Sequence, residues 1–322
     1  MEVGEPIAVT LFVDEGKKHT TDTCPWHKER KGSAKPMPPQ DGDEDADGTM
    51  PNNSGKKLGQ NLEKANFKEP KGSVWVMYAQ TQVMRYPAGK KKKTLQLYEE
   101  VLEEEEYDLQ YAPHHAVPGN ESLKGSSVVQ FMGDDSVIEN FKLEGSPSSV
   151  IKDGQTIDYD VNIAENGIWL PSPYALSMSN EWPAAEGLKA LRKRRGGDAT
   201  ATDQESFKYA YACEAIEEGG AQFHMRHADY SEKVREILDA MGSKMKALTS
   251  VCPIVKKDGG KKPFDAPPAL FNRLNALSDK LKGLLRGTPP SWRNPLFTDE
   301  LTKEYVEDYK GKRKRTPKLK VM

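Results

Sequence analysis

The sequence has few cysteines, few histidines and no long hydrophobic run. Its three cysteines, Cys24, Cys213 and Cys252, stand at unrelated spacings, which is typical of reduced thiols in a cytosolic-type compartment rather than of a disulfide framework. No stretch approaches the roughly 18 apolar residues that a bilayer-spanning helix needs. The first residues, MEVGEPIAVTLFVDEG, lack the basic start and long apolar core of a signal peptide. Export would therefore require a dedicated secretion system.

The composition is polar, and its charges are unevenly distributed. Charged residues make up 30% of the 322 residues and the net charge is -2, while the mean hydropathy is -0.76. A four-lysine block, Lys90–Lys93, precedes the acidic segment Tyr98–Asp108, and the chain ends in the basic KGKRKRTPKLKVM. Such blocks are typically solvated or disordered; the alternative is that the basic ones contact nucleic-acid phosphates.

The first hundred residues predict a small β-containing region with a long insertion. Pro6–Val13 and Ser73–Arg85 are rich in β-branched and aromatic residues, which favours strands. Between them, residues 32–72 contain mostly Pro, Gly, Asp, Asn and Lys. This composition predicts a disordered insertion that does not contribute to a core.

The second half of the chain predicts helices. Ser206–Glu218 is a helical pattern that ends at a Gly-Gly pair, and Tyr230–Leu248 has apolar residues at helical spacing. A third helix is expected over Pro268–Leu285, and Ala199–Phe207 is expected to be a linker. The basic run Arg192–Arg195 is either a patch for DNA or the solvated end of a helix.

Four of the six histidines fall into two close pairs, with an Asn-Gly segment between the pairs. YAPHHAVPGN contains His114 and His115, whose side chains would point to opposite faces of a strand. IAENGIWLPSP contains Asn166 before an alternating apolar segment, which predicts a turn and a strand that pairs with the first. FHMRHADYSEKVREIL contains His224 and His227, whose spacing places both rings on one helical face or at the entrance of one helix.

Each motif alone is commonly structural, because a buried histidine, an Asn-Gly turn and a chance His-x-x-His are all frequent. Together and in this order, over about residues 107–241, they resemble the AHH nucleases of the HNH/endonuclease VII superfamily. These are toxin-type domains built on a ββα-metal finger. One residue departs from the family pattern: Pro113 precedes the histidine pair, and the alanine stands one place earlier at Ala112.

The resemblance implies a role for each residue of the set. His115 would be the general base, Asn166 would bind backbone across the hairpin, and His114 would be a metal ligand. His224 and His227 would complete a three-imidazole site; alternatively, one of them orients its partner, and Asp229 is a minor alternative ligand or a helix cap. Neutral imidazole accepts a proton near physiological pH, and three neutral ligands leave the charge of the cation available to a phosphodiester.

The expected cofactor is one divalent metal ion. Zinc suits imidazole ligands, whereas magnesium or manganese becomes suitable once phosphate oxygens join the coordination shell. A separate motif, Cys24-Pro-Trp-His27, has zinc-finger spacing. No second Cys/His pair of suitable spacing accompanies it, so a turn or a contact to a delivery partner is the favoured interpretation.

The sequence therefore predicts an α+β protein of three parts: a β-containing N-terminal region (1–100), an HNH-like ββα-metal nuclease domain (105–251) and a helical, basic C-terminal extension (252–322). The expected function is metal-dependent hydrolysis of DNA with little sequence specificity, with RNA as the alternative substrate. The resemblance implies an antibacterial toxin, present in the producer's cytoplasm and exported by a type VI-like system into a target cell. A cognate immunity protein and a secretion carrier or chaperone would be its partners, without a membrane. The competing hypotheses are a non-catalytic binding or cargo-adaptor protein and a hydrolase of small phosphate esters.

Overall fold

The structure is a computed structural model. It describes residues 19, 21, 24–27, 54–81, 100–132, 157, 159–173, 201–225, 228–256, 264–287, 289, 292 and 296–315. These residues form an α+β arrangement, which confirms the coarse class that the sequence predicts. None of the helices in these ranges is both long and apolar enough to cross a membrane.

One three-stranded antiparallel sheet organises the described residues, in the order β1-β2-β3. Its strands are β1 (Gly72–Thr81), β2 (Glu100–His115) and β3 (Gly167–Ser172). The long β2 pairs with β1 over its first ten residues and with β3 over its last six. His115 lies opposite Gly167 at the end of this second ladder.

The described ranges contain six helices: α1 (Gly55–Lys64), α2 (Ala201–Gly219), α3 (Ala228–Thr249), α4 (Pro253–Lys256), α5 (Leu270–Leu285) and α6 (Glu300–Arg315). Three short helical turns lie beside them, at Gly119–Leu123, Ser127–Phe131 and Ala164–Asn166. The helices predicted at Tyr230–Leu248 and Pro268–Leu285 are confirmed to within two residues at each end, because regular apolar spacing marks the buried face of a helix.

The largest core lies where β3, α3 and α5 meet. It contains Ile168 and Leu170 of β3, Ile237 of α3 and Leu277 of α5, all at most 1% exposed. Trp26, from the beginning of the chain, belongs to the same core. A second core joins β1 and β2 to α2 and α6, and a third lies between α1 and β3. Side chains from all three predicted parts of the chain therefore share one core.

Two predictions about irregular segments are wrong, and a third holds only in part. The insertion 32–72 contains helix α1, which buries Leu58 and Leu62. The acidic segment Tyr98–Asp108 is ordered from Glu100 onward, where strand β2 begins and pairs with β1, while Glu106 and Asp108 are solvent-exposed as predicted. The linker Ala199–Phe207 belongs to α2 from Ala201 onward. In each case tertiary pairing or burial outweighs a polar composition. The predicted strand Pro6–Val13 and the basic runs Lys90–Lys93 and Arg192–Arg195 lie outside the described residues.

Gly167 is required for close approach rather than for a hairpin turn. A Cβ atom at this position would come within 2.8 Å of Leu58 and 2.9 Å of Leu62 on helix α1. Asn166 ends a short 3-10 turn, and Gly167 itself has an extended backbone (φ -107°). The Asn-Gly segment therefore brings α1 directly onto the end of the β2–β3 ladder, next to the histidine pair.

Candidate functional site

His114 and His115 end strand β2 and face opposite sides of the sheet, as strand alternation requires. The ring of His114 packs beside Tyr230 of helix α3, with ring centroids 5.1 Å apart. On the opposite side, the Nε2 atom of His115 contacts Asn162, which lies in the segment that precedes the turn Ala164–Asn166 and strand β3. Both side chains are buried, at 1% and 8% exposure. The two imidazoles therefore have different partners despite their adjacency.

Asn162 fixes the position of the His115 ring. Its Oδ1 lies 3.0 Å from His115 Nε2 and also accepts a hydrogen bond from the backbone N–H of Ser54, at 3.0 Å. Its Nδ2 donates to Asp160 Oδ1 at 3.0 Å. Asp160 in turn forms an ion pair with Lys57 at 3.4 Å.

This arrangement also determines the tautomer of a neutral His115. A backbone N–H can only donate, so the Asn162 atom that faces Ser54 must be the amide oxygen. Because that oxygen cannot donate, His115 Nε2 must carry the proton. In the neutral ring the remaining nitrogen, Nδ1, then carries the lone pair that can accept a proton.

His114 and His224 lie together on the other side of β2. Their ring centroids are 5.1 Å apart and the ring planes meet at 78°. The backbone N–H of His224, in the segment between α2 and α3, donates to Pro171 O of β3 at 2.7 Å and so ties this histidine to the sheet. The structure therefore brings together two of the three predicted metal ligands. The third, His227, lies outside the described residues, and Asp229 is exposed in the first turn of α3.

Asn166 binds the backbone that follows the histidine pair. Its Oδ1 accepts from Val117 N at 2.9 Å, and its Nδ2 donates to Val117 O at 3.0 Å and to Val161 O at 2.8 Å. Ser278 of α5 donates a further hydrogen bond to Oδ1 at 2.8 Å. The bonds across the hairpin that the resemblance implies for this residue are therefore present.

Tyr230 holds the same end of β2 from the helix side. Its hydroxyl donates to Ala116 O at 2.7 Å, directly after His115. Complete burial raises the pKa of Tyr230 well above its usual value, so the phenol stays neutral and remains a donor. Asn166 and Tyr230 together fix the backbone on which both imidazoles are carried.

A second group of metal-type donors lies elsewhere in the molecule. His19, Cys24, His27 and Cys252 place their ligand atoms within 4.8 Å of one another, and this group could hold a metal ion. Burial raises the pKa of the Cys24 thiol to about 11. The Cys24–His27 motif forms a turn, closed by the bond from His27 N to Cys24 O at 3.1 Å. The sequence offers no second Cys/His pair of suitable spacing, yet the fold places two single residues beside this motif: His19, five positions before Cys24, and the distant Cys252.

Sequence reasoning missed Asn162, Asp160 and the His/Cys group. Asn162 stands four residues before Asn166 in a segment without a recognisable motif, and its role appears only where the chain returns to β2. Cys252 is 225 residues away from His27, so no local spacing could indicate it.

Comparison of the chain with protein-family models, with curated proteins and with solved structures finds no match in any of the three.

Proposed function

We propose that this protein is a metal-dependent endonuclease in which His115 is the general base and His114 and His224 contribute metal ligands. The observation that carries the proposal is that the two adjacent histidines at the end of β2 have different partners. Asn162 orients His115 on one side, and His224 lies against His114 on the other. A buried histidine with only a packing role would also take a hydrogen-bond partner, but it would not require a second imidazole beside the pair.

The distance between His114 and His224 suits two ligands of one cation. With metal–nitrogen bonds of about 2.0–2.1 Å and tetrahedral angles, the centroids of two coordinating imidazoles lie about 5 Å apart. The observed separation is 5.1 Å. His227 is the proposed third ligand. A divalent cation held there would offset the phosphate charge and stabilise the leaving oxygen.

The residues of the chain would perform the proton transfer. The lone pair of His115 Nδ1 accepts a proton from water as the water oxygen bonds to phosphorus and the bond from phosphorus to the leaving oxygen breaks. The positive imidazolium that results keeps its Nε2–H bond to Asn162 Oδ1. Asn162 is a positioning residue here, because it holds the ring in the tautomer whose Nδ1 carries the lone pair.

The proposed substrate is DNA, contacted mainly through its phosphates, with RNA as the alternative. The proposed biological role is an antibacterial toxin delivered by a type VI-like secretion system. A cognate immunity protein and a secretion carrier or chaperone would be its partners. The support for this role is the resemblance of the motifs around His114, Asn166 and His224.

The test is cleavage of supercoiled plasmid and of RNA by chelator-treated protein to which Mg²⁺, Mn²⁺ or Zn²⁺ is returned. His115→Ala is expected to stay folded and to lose activity by about 10²–10⁴-fold, the usual contribution of a general base. His115→Gln should be equally inactive, because its amide can donate to Asn162 Oδ1 but cannot accept the proton. Lys233→Ala, an exposed change on α3, is the matched control and should retain activity.

Metal binding at this site is measured separately by titration with Mn²⁺, which prefers oxygen and nitrogen ligands to thiolates. His115→Ala should bind Mn²⁺ as the wild type does, whereas His114→Ala should bind it at least about tenfold more weakly. Unchanged Mn²⁺ affinity in His114→Ala would reject the ligand assignment. If neither nucleic acid is cut with any of the three metals, the nuclease proposal fails and a non-catalytic binding protein becomes the better explanation.

A further inference from the structure

The His/Cys group lies where the beginning of the chain meets the end of helix α3. Cys24 and His27 belong to one turn, His19 precedes it by five residues, and Cys252 lies between α3 and α4. We propose that these four residues form a structural zinc site, distinct from the proposed nuclease site and independent of it.

The distances within the group match a tetrahedral zinc site. With zinc–sulfur bonds of about 2.3 Å and zinc–nitrogen bonds of about 2.0–2.1 Å, two sulfurs lie about 3.8 Å apart, and a sulfur and a nitrogen about 3.6 Å apart. Cys24 Sγ and Cys252 Sγ are separated by 3.6 Å. Cys252 Sγ and His27 Nε2 are separated by 3.5 Å. Both of these donor–donor distances match edges of a coordination tetrahedron, and all four donor atoms lie within 4.8 Å of one another.

The ordinary alternative is a pair of buried thiols that share a weak hydrogen bond. That explanation accounts for the contact between Cys24 and Cys252, which are 1% and 0% exposed. It does not account for the two imidazoles beside them, whose ring centroids are 5.1 Å apart. His19 Nε2 is buried, and within the described residues it has no hydrogen-bond partner. A cation at the centre would satisfy this nitrogen, since buried polar atoms rarely lack a partner.

The donor set selects zinc and a structural role. Thiolate and imidazole ligands in a tetrahedral arrangement favour zinc over magnesium, calcium or manganese, which prefer oxygen. Two cysteines and two histidines fill all four positions and leave none for water or substrate, which is typical of structural rather than catalytic zinc. On binding, each cysteine S–H bond breaks, a sulfur–zinc bond forms, and the two protons pass to solvent. The two thiolates then balance the charge of the cation.

The zinc site would strengthen the attachment of the turn Cys24–His27, which other contacts already hold to the core. Pro25 O accepts a hydrogen bond from Ala269 N at 3.2 Å, and Trp26 donates from Nε1 to Asp265 O at 3.1 Å. The Trp26 ring packs edge-on against Phe131 and Phe264 of the largest core. Bound zinc would connect the turn Cys24–His27 to Cys252 through metal–ligand bonds. These bonds would close a loop of more than two hundred residues.

The first experiment is the metal content of the full-length protein, purified without added metal. We expect about one zinc per chain in the wild type and in His114→Ala, because the proposed site does not involve His114. Cys24→Ser and Cys252→Ser should lose this zinc. Cys213→Ser is the matched control, since Cys213 is the third cysteine and lies outside the group. It should keep the zinc.

The second experiment remains informative if the serine variants do not fold. Cobalt(II) replaces zinc in the wild-type protein, and tetrahedral thiolate coordination gives intense visible bands with a sulfur-to-cobalt charge-transfer band. His19→Cys should retain one metal ion and show a stronger charge-transfer band, because three thiolates replace two. Removal of zinc should lower the wild-type melting temperature, and its return should restore it.

Three results would overturn the proposal: a wild-type protein whose melting temperature is the same with and without zinc, a cobalt spectrum without the charge-transfer band, or a disulfide between Cys24 and Cys252 in protein kept under reducing conditions. Full zinc content in Cys252→Ser would also exclude this ligand set. None of these results depends on whether the protein cuts nucleic acid, so the zinc site and the nuclease proposal fail or succeed separately.

Discussion

At the scale of single residues, the buried amide of Asn166 fixes the end of strand β2. Its side chain makes four hydrogen bonds, two of them to the backbone of Val117 and one from Ser278. Bonds from this asparagine to backbone across the hairpin are what the resemblance to the AHH nucleases implies. The bond from Ser278 could not be predicted, since it depends on how α5 packs 112 residues later in the chain.

Asp299 provides a residue-scale prediction about pH. It precedes α6, and its Oδ1 accepts a hydrogen bond from Thr302 N at 2.7 Å. Its Oδ2 is buried and has no hydrogen-bond partner among the described residues. Burial, together with the smaller effect of nearby Glu300, raises the pKa of this carboxyl to about 7 against the opposing effect of the Thr302 bonds.

Because the pKa of Asp299 is higher in the folded than in the unfolded chain, its contribution to stability is complete at low pH and is lost as the pH rises from about 4 to about 7. Asp299→Asn keeps the acceptor for Thr302 and cannot ionise. Between these pH values the wild type should lose on the order of 1–3 kcal/mol of unfolding free energy relative to the variant. Urea unfolding of both proteins across this pH range measures the difference. If the unfolding free energies of the two proteins changed with pH in parallel, ionisation of Asp299 would not destabilise the folded protein.

At the scale of elements, two glycines in helices have opposite surroundings. Gly242 is buried in α3, and a Cβ atom there would meet Ser127 Oγ and come within 2.7 Å of the Ser127 carbonyl carbon and 2.8 Å of Val128 N. Gly283 is exposed in α5, with nothing within 4 Å of an added Cβ. Helical periodicity predicts both helices but does not distinguish the two glycines, because the obstruction at Gly242 comes from a separate turn.

The two alanine variants should therefore change stability in opposite directions. Gly283→Ala is expected to raise the unfolding free energy by about 0.5–1 kcal/mol, since alanine favours a helix over glycine. Gly242→Ala gains the same helical preference, but its Cβ atom must displace the backbone of Ser127 and Val128. We therefore expect the unfolding free energy to fall by about 1–3 kcal/mol overall. Chemical denaturation of both variants is the measurement, and Gly283→Ala serves as the control for helix preference. An increase in stability at Gly242 would contradict the close approach of α3 to Ser127–Phe131.

At the scale of the whole molecule, helix α5 completes the largest core. Its leucines Leu270, Leu274, Leu277, Leu281 and Leu285 are all 0% exposed and pack with residues of β3 and α3. The proposed nuclease region 105–251 therefore buries part of its apolar surface against the segment that follows it.

A chain ending at Lys256 tests whether region 105–251 needs helix α5 to fold. This chain keeps Cys252 and therefore the proposed zinc site. Each buried leucine contributes about 1.5–3 kcal/mol, and their sum is comparable to the whole stability of a typical domain. We expect the shortened chain to aggregate or to unfold without a cooperative transition, as followed by circular dichroism. Leu277→Ala in the full chain removes only one leucine from the same core and should lower the unfolding free energy by about 2–5 kcal/mol. A cooperatively folded 1–256 fragment would instead support an independent domain.

The sequence by itself determined the coarse α+β class, helices α3 and α5, and the pairing of the strand that carries His114-His115 with the strand after Asn166. These features depend on local periodicity and on motif order, which a linear pattern retains. Only the tertiary structure decided that Asn162 orients His115 and that Cys252 joins His19, Cys24 and His27. Such contacts join residues that are distant along the chain. Their distances depend on the packing of whole elements, which no local spacing encodes.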